Sequence, residues 1–177
     1  MFQLVVTRPV CQPEANDSNY ELMISKDAAN LQLPEYKHVP GSNPRPDCSF
    51  LETVANQASS PTEDHTADSN IAWLYGIRLY NAGYYWESHE ILEAVWLNAL
   101  PNSRERFLLQ AVIHLANARL KMKMSRHAAV LRLQKLAMEC IDRAIPTPEP
   151  LMGVRFDQLR QLINEVETRT SVLVLQL

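Results

Sequence analysis

Glu87-Ser88-His89-Glu90-Ile91-Leu92-Glu93, followed by Trp96, sets four ionisable side chains within about two turns of a helix. His89 and Glu93 are four apart and share a face, beside the apolar stripe and flanking Trp96. Glu87 and Glu90 lie near the helix start, where the macrodipole favours acids. Downstream, Gln110 and His114 repeat the four-residue spacing. If the two segments pack antiparallel, His89, Glu93, Gln110 and His114 converge. Two imidazoles and a carboxylate are a donor set for a divalent metal, with Glu90 as the base of a hydrolytic enzyme. The string HEILE is not HExxH, however, and neither segment carries the Glu-x-x-His of di-iron bundles. A buried histidine in a helix is more often a hydrogen-bonded core residue. These residues therefore favour a polar cluster (Glu87, His89, Glu90, Glu93, Trp96, Gln110 and His114) that fixes a helix pair without a cofactor and lines a small-ligand pocket. A metal held by His89, Glu93 and His114 is the alternative.

No nucleophile elbow, phosphate-binding glycine loop or kinase signature is present. Ser88 and His89 are adjacent, so on a helix they point apart and form no catalytic pair. A second group of polar residues is basic: Arg119, Lys121, Lys123, Arg126 and His127. Cations closing a helix suit its dipole. Arg126 and His127 at the start of the next helix do not, and a helix N-terminus with added cations is in principle an anion site. The group is small and lacks interleaved aromatics, which argues against nucleic acid. Anion or RNA binding through residues 119–127 is kept as a further alternative.

The elements that must position these residues follow from periodicity and punctuation. Asp68-Ser69-Asn70 offers caps for a helix over 71–81, apolar almost all round, with Gly83 as its left-handed stop. A second helix over 84–99 carries Tyr84, Ile91, Val95 and Ala99 on one stripe and ends at Pro101. Asn102 and Glu105 make a capping box for a third, with Phe107, Ala111, Leu115, Ala118 and Met122 inward. Ser125 caps a fourth over 126–144, with Val130, Leu133, Ala137, Cys140 and Ala144 inward. Pro146, Pro148 and Pro150 stop it. A last helix over about 156–169 buries Leu159, Leu162, Ile163 and Val166, and the apolar tail SVLVLQL packs on the bundle or on another chain. Short connections make sequential helices antiparallel, so the expectation is an all-α, up-and-down bundle of four to five helices. Trp73, Gly76, Tyr80 and the NAGYYWES turn suit a tetratricopeptide array, but no second copy follows at the required spacing.

Ahead of this bundle, residues 1–69 are broken by seven prolines and carry four Lys and Arg against ten Asp and Glu, net −6. Residues 70–177 carry thirteen against ten, net +3. The first part reads as an acidic, largely irregular extension, and the second as the domain that folds without it. No apolar run reaches the length of a membrane span, and MFQLVVTRPVCQ does not have the form of a secretory signal. Cys11, Cys48 and Cys140 form no paired motif, so the expected compartment is the reducing cytoplasm.

YNAGYYWESHEILEAVWL and RERFLLQAVIHLANARLKMK resemble the bacterial family called domain of unknown function 309. The matching positions are Asn81, Gly83, Glu87, His89, Glu90, Glu93, Trp96, Phe107, Gln110 and His114, and PLMGVRFDQL resembles the family's later Pro-x-x-x-Gly-Val/Ile-Asp region. Ser88 replaces the family's usual Ala. His114 stands where Gln is usual, which argues against a metal site common to the family. The resemblance covers about residues 71–168 and implies a compact helical bundle with no established activity. Taken together, the residues favour a cytoplasmic, non-enzymatic binding or interaction module, acting on an unidentified protein or small molecule, with a second copy of the chain as a further candidate partner. A metal-dependent hydrolase is the rival.

Overall fold

Six α-helices and one 3₁₀ helix are present among the residues that the computed structural model describes, 28, 30–166 and 175. They are α1 (Ser49–Ala55), the 3₁₀ helix (Asp64–Ser69), α2 (Ile71–Asn81), α3 (Tyr85–Asn98), α4 (Arg104–Lys123), α5 (His127–Arg143) and α6 (Phe156–Asn164). The expected all-α bundle is what forms. No helix is long and apolar enough to cross a membrane among the described residues.

Helix ends follow side-chain chemistry. Asn70 caps α2 by accepting from the Trp73 amide at 3.1 Å. Gly83, at φ 82°, closes it: its N–H reaches Tyr80 O at 2.9 Å while Tyr84 N–H reaches Leu79 O at 2.9 Å, a Schellman motif. Two caps differ from expectation. Ser103, not Asn102, caps α4, accepting from Arg106 N–H at 3.1 Å, because Asn102 takes φ 62° in the tight turn after Pro101. Ser125 does not start α5 but ends α4. It adopts φ 56°, its N–H bonds Met122 O at 3.0 Å, and Arg126 N–H bonds Lys121 O at 2.9 Å. A serine thus does the work usually given to glycine in a Schellman stop.

Sequential helices pack as antiparallel hairpins, α2 on α3, α3 on α4 and α4 on α5, with α6 laid against α5 and α4. Helix α4 is buried on several sides, through Leu108, Leu109, Val112, Ile113, Ala116 and Leu120 in addition to the inner part of the expected stripe; Phe107 and Met122 at its ends are half-buried. The α2–α3 crossing is close because Gly76 has no Cβ. One placed there would lie 2.5 Å from Leu92 Cδ2. Ser88, fully buried, donates to Gly76 O at 2.8 Å across the same crossing. After α5, Leu151 and Val154 pair backbone to backbone, and Trp73 Nε1 donates to Met152 O at 3.2 Å, so the loop before α6 seals one end of the core.

Residues 28 and 30–69 have little regular structure, as their prolines dictate, yet they are built into the bundle. Leu31, Leu51 and Val54 are buried in the core. Tyr75 donates its hydroxyl to Gln32 O at 2.6 Å, and Arg78 donates to the carbonyls of Ala28 and Leu31. A core that folds without residues 1–68 is therefore not what this packing supports. The expected last helix stops at Asn164 rather than 169. The tail's Leu175 is buried and exchanges two hydrogen bonds with the Asn81 side chain, while the remaining residues of SVLVLQL lie outside the described residues.

Candidate functional site

The α3–α4 hairpin decides which polar residues meet. Arg106, one turn into α4, lies over the Trp96 ring at 3.9 Å and donates to Trp96 O and Ala99 O at 3.0 and 2.7 Å, closing the C-terminal end of α3. Each turn away from this contact advances both antiparallel helices by nearly the same length. Gln110 therefore comes level with Glu93, and His114 level with His89. Burial first, and then the positive charges of His89 and Arg132, push the His114 imidazole down to about 4. The hairpin register thus sets the four side chains named from sequence spacing at two neighbouring levels of α3 and α4.

What they lack is a hydrogen-bonded network. His114 Nδ1 and Trp96 Nε1 are buried and have no partner among the described residues. Glu93 and Gln110 make no hydrogen bond or ion pair there either. His89 turns its Nδ1 toward Glu90 Oε1 at 3.4 Å, not toward Glu93. Among the described residues no three His, Cys, Asp or Glu side chains are grouped as a metal ion requires, so His89, Glu93 and His114 are not assembled into a ligand set.

The other two motif acids face the opposite way along the chain. Glu87 is fully buried, and its Oε1 accepts from the His38 backbone N–H at 2.7 Å. Burial raises its carboxyl above the usual range, offset in part by that hydrogen bond. Glu90 pairs with Arg45 at 3.9 Å. His38 and Arg45 come from the PGSNPRPD region, where the sequence shows only turn and loop chemistry. The one sequence signal for this contact is Trp86, an aromatic on the face of α3 away from the expected stripe. His38 meets the Trp86 ring edge-on at 4.8 Å, and Arg45 lies over it at 5.2 Å.

The basic residues do not act as one group. Arg119 points inward, donating to Val166 O at 3.4 Å and hydrogen bonding Tyr80. Lys121 reaches Met124 Sδ at 3.9 Å, and Lys123, Arg126 and His127 are exposed. An open cleft of about 380 Å³ lies elsewhere, lined by Thr62, Glu63, Asp64, His65, Leu100, Ser103 and Glu105. None of the polar-cluster or basic residues proposed from the sequence as a site lines it. The orphaned polar atoms of the α3–α4 hairpin are a stronger functional signal than that cleft, which is open to solvent and whose buried polar residue, Thr62, already donates to Ser59 O and Val95 O.

Residues 73–133 match the model of the family described as "Domain of unknown function (DUF309)". The match takes in α2 from Trp73, all of α3 and α4, and α5 as far as Leu133; the PLMGVRFDQL segment lies beyond it. No curated protein and no solved structure matches the chain.

Proposed function

We propose that this chain, which carries a DUF309 domain over residues 73–133, is a non-catalytic binding module whose site is the α3–α4 face bearing His89, Glu93, Trp96, Gln110 and His114. The observation that carries this is the pair of buried, unpartnered nitrogens, Trp96 Nε1 and His114 Nδ1, about two turns apart along one helix hairpin. A buried polar group left unpaired costs roughly 1–3 kcal/mol, and folded proteins keep few of them. A ligand that supplies the missing partners recovers that cost on binding.

The chemistry of the face narrows the ligand. Glu93 as a carboxylate only accepts hydrogen bonds, Gln110 both accepts and donates, and the Trp96 indole only donates. His114, neutral at pH 7, offers one donor and one acceptor. The fitting occupant is a small polar molecule or side chain rich in N–H or O–H donors, with at least one acceptor for the indole. Cys48 and Cys140, both buried, suit a reducing compartment such as the cytoplasm.

The test uses three probes, a polyol (inositol), an amine (ethanolamine) and an amide (nicotinamide), followed by NMR of the histidine rings and by thermal melting. At least one class should shift the His89 and His114 resonances together and raise Tm, and Glu93→Ala or Gln110→Ala should abolish both effects. Ring resonances that ignore all three classes, or shifts that persist in both variants, contradict the assignment.

A further inference from the structure

A second surface of α3 carries a different chemistry. Tyr84, Trp86, Glu87 and Glu90 make a patch of two aromatic rings and two carboxylates at the start of the helix. Residues 37–45 lie across it. Lys37 Nζ sits over the Tyr84 ring at 5.0 Å, Arg45 over the Trp86 ring at 5.2 Å, and Arg45 also pairs with Glu90 at 3.9 Å. Cation over aromatic, backed by a carboxylate, is how proteins recognise lysine and arginine side chains.

The covering segment holds its own shape. Asn43 is its hub: the side chain accepts from Val39 N–H at 2.9 Å, lies 3.0 Å from His38 Nδ1, and donates to Lys37 O at 2.8 Å. Ser42 N–H closes the turn on Val39 O at 2.9 Å. Against this internal set, the hydrogen bond that ties the loop to α3 is His38 N–H to Glu87 Oε1 at 2.7 Å. The fit is also incomplete. Glu87 is 0% exposed, yet its Oε2 has no partner among the described residues. An occupant with one more donor would satisfy it. Finally, the patch lies inside the matched domain, residues 73–133, and its cover comes from outside it.

We propose that Tyr84, Trp86, Glu87 and Glu90 form a docking site for a basic peptide segment of a partner protein, and that residues 37–45 occupy the site in cis as a competing pseudo-ligand. This site shares no residue with the α3–α4 face and stands independently of that assignment. A tethered segment competes at an effective concentration on the order of millimolar, so an untethered peptide binds the intact chain weakly. Loosening the tether must expose the site.

The probe is a fluorescein-labelled synthetic peptide of residues 34–48, read by fluorescence anisotropy against the full chain. Replacing Lys37→Ala and Arg45→Ala together in the protein, both exposed positions, should tighten peptide binding by about tenfold or more over the unaltered chain. The same peptide with Glu at both basic positions should lose that binding. No gain in the doubly substituted protein, or equal binding of the acidic peptide, overturns the proposal. Hydrogen exchange on the unaltered chain gives a check free of any substitution. The His38 amide should exchange at least about tenfold faster than the amides of α2, through a local opening. Exchange of both at one common rate overturns it.

Discussion

Two stretches of one helix meet opposite fates. At the start of α3, Glu87 and Glu90 are covered by residues 37–45, and each finds a partner there, a backbone amide for Glu87 and a guanidinium for Glu90. Farther along the helix, Glu93 and Trp96 face α4, where Gln110 and His114 are level with Glu93 and His89, and the polar atoms on that side are left unpaired. Both stretches draw on the same Glu-x-His-Glu-x-x-Glu-x-x-Trp string. Spacing on a helix tells which residues share a face; whether they acquire partners depends on which distant segment lies over that face. The first stretch is therefore filled from within the chain, and the second reads as a site held ready.

The most severe way to break this comparison is to remove the cover altogether. Deleting residues 1–69 takes Leu31, Leu51 and Val54 out of the core and strips Glu87, Tyr75 and Arg78 of their partners. Burial of each of those three apolar side chains is worth about 1.5–3 kcal/mol, so the sum rivals the whole stability of an ordinary domain. Thermal melting followed by circular dichroism should show no cooperative transition for the truncated chain. A sharp transition within a few degrees of the parent would place residues 28–69 outside the folding unit.

The second effect is pH-dependent and belongs to the α3–α4 face. The His114 imidazole titrates near 6.5 in an unfolded chain but is held to about 4 in the fold. The unfolded state therefore takes up the proton first. Stability attached to this group is complete above about pH 6.5 and is lost as pH falls toward about 4, to a total of roughly 3 kcal/mol. Burial of Glu87 acts in the reverse sense: its raised carboxyl favours the folded state as acid is added through the carboxylate range. Denaturant melts between pH 7 and 4 should show the loss in the parent, and His114→Leu should flatten it. An unchanged slope in the variant would show that His114 is not the group responsible.

Much of the fold was legible. The run 71–81, the Gly83 stop and the inward stripes of α5 and α6 follow from periodicity and from the left-handed preference of glycine. The α4 cap shifted by one residue and Ser125 changed roles because tight turns draw non-glycine residues to positive φ, which residue type alone does not reveal. In the site, the i, i+4 spacings tell which side chains lie on one side of each helix. The engagement of Glu87 by His38 was not legible. The two are 49 residues apart, and the turn-rich segment around His38 carries no periodic signal.

The smallest predicted effect sharpens the contrast. Glu93 is half-buried with no hydrogen bond or ion pair among the described residues, so Glu93→Ala should change stability by no more than about 0.5 kcal/mol in chemical denaturation. A loss of 2 kcal/mol or so would reveal a structural partner and weaken the case for a waiting site.

The central claim is that one end of α3 is filled from within the chain and contributes to its stability while the other is left open for a ligand, and one paired measurement addresses it directly. Glu87→Ala and His114→Leu are melted beside the parent in one buffer at pH 7, without added ligand. Removing Glu87 orphans the His38 amide and should cost about 1–3 kcal/mol, or several degrees in Tm for a chain of this size. Removing His114 deletes a polar atom that has no partner, so its Tm should match or exceed the parent's. A His114→Leu protein that melts as low as Glu87→Ala would contradict the account, because both ends of the helix would then be structural.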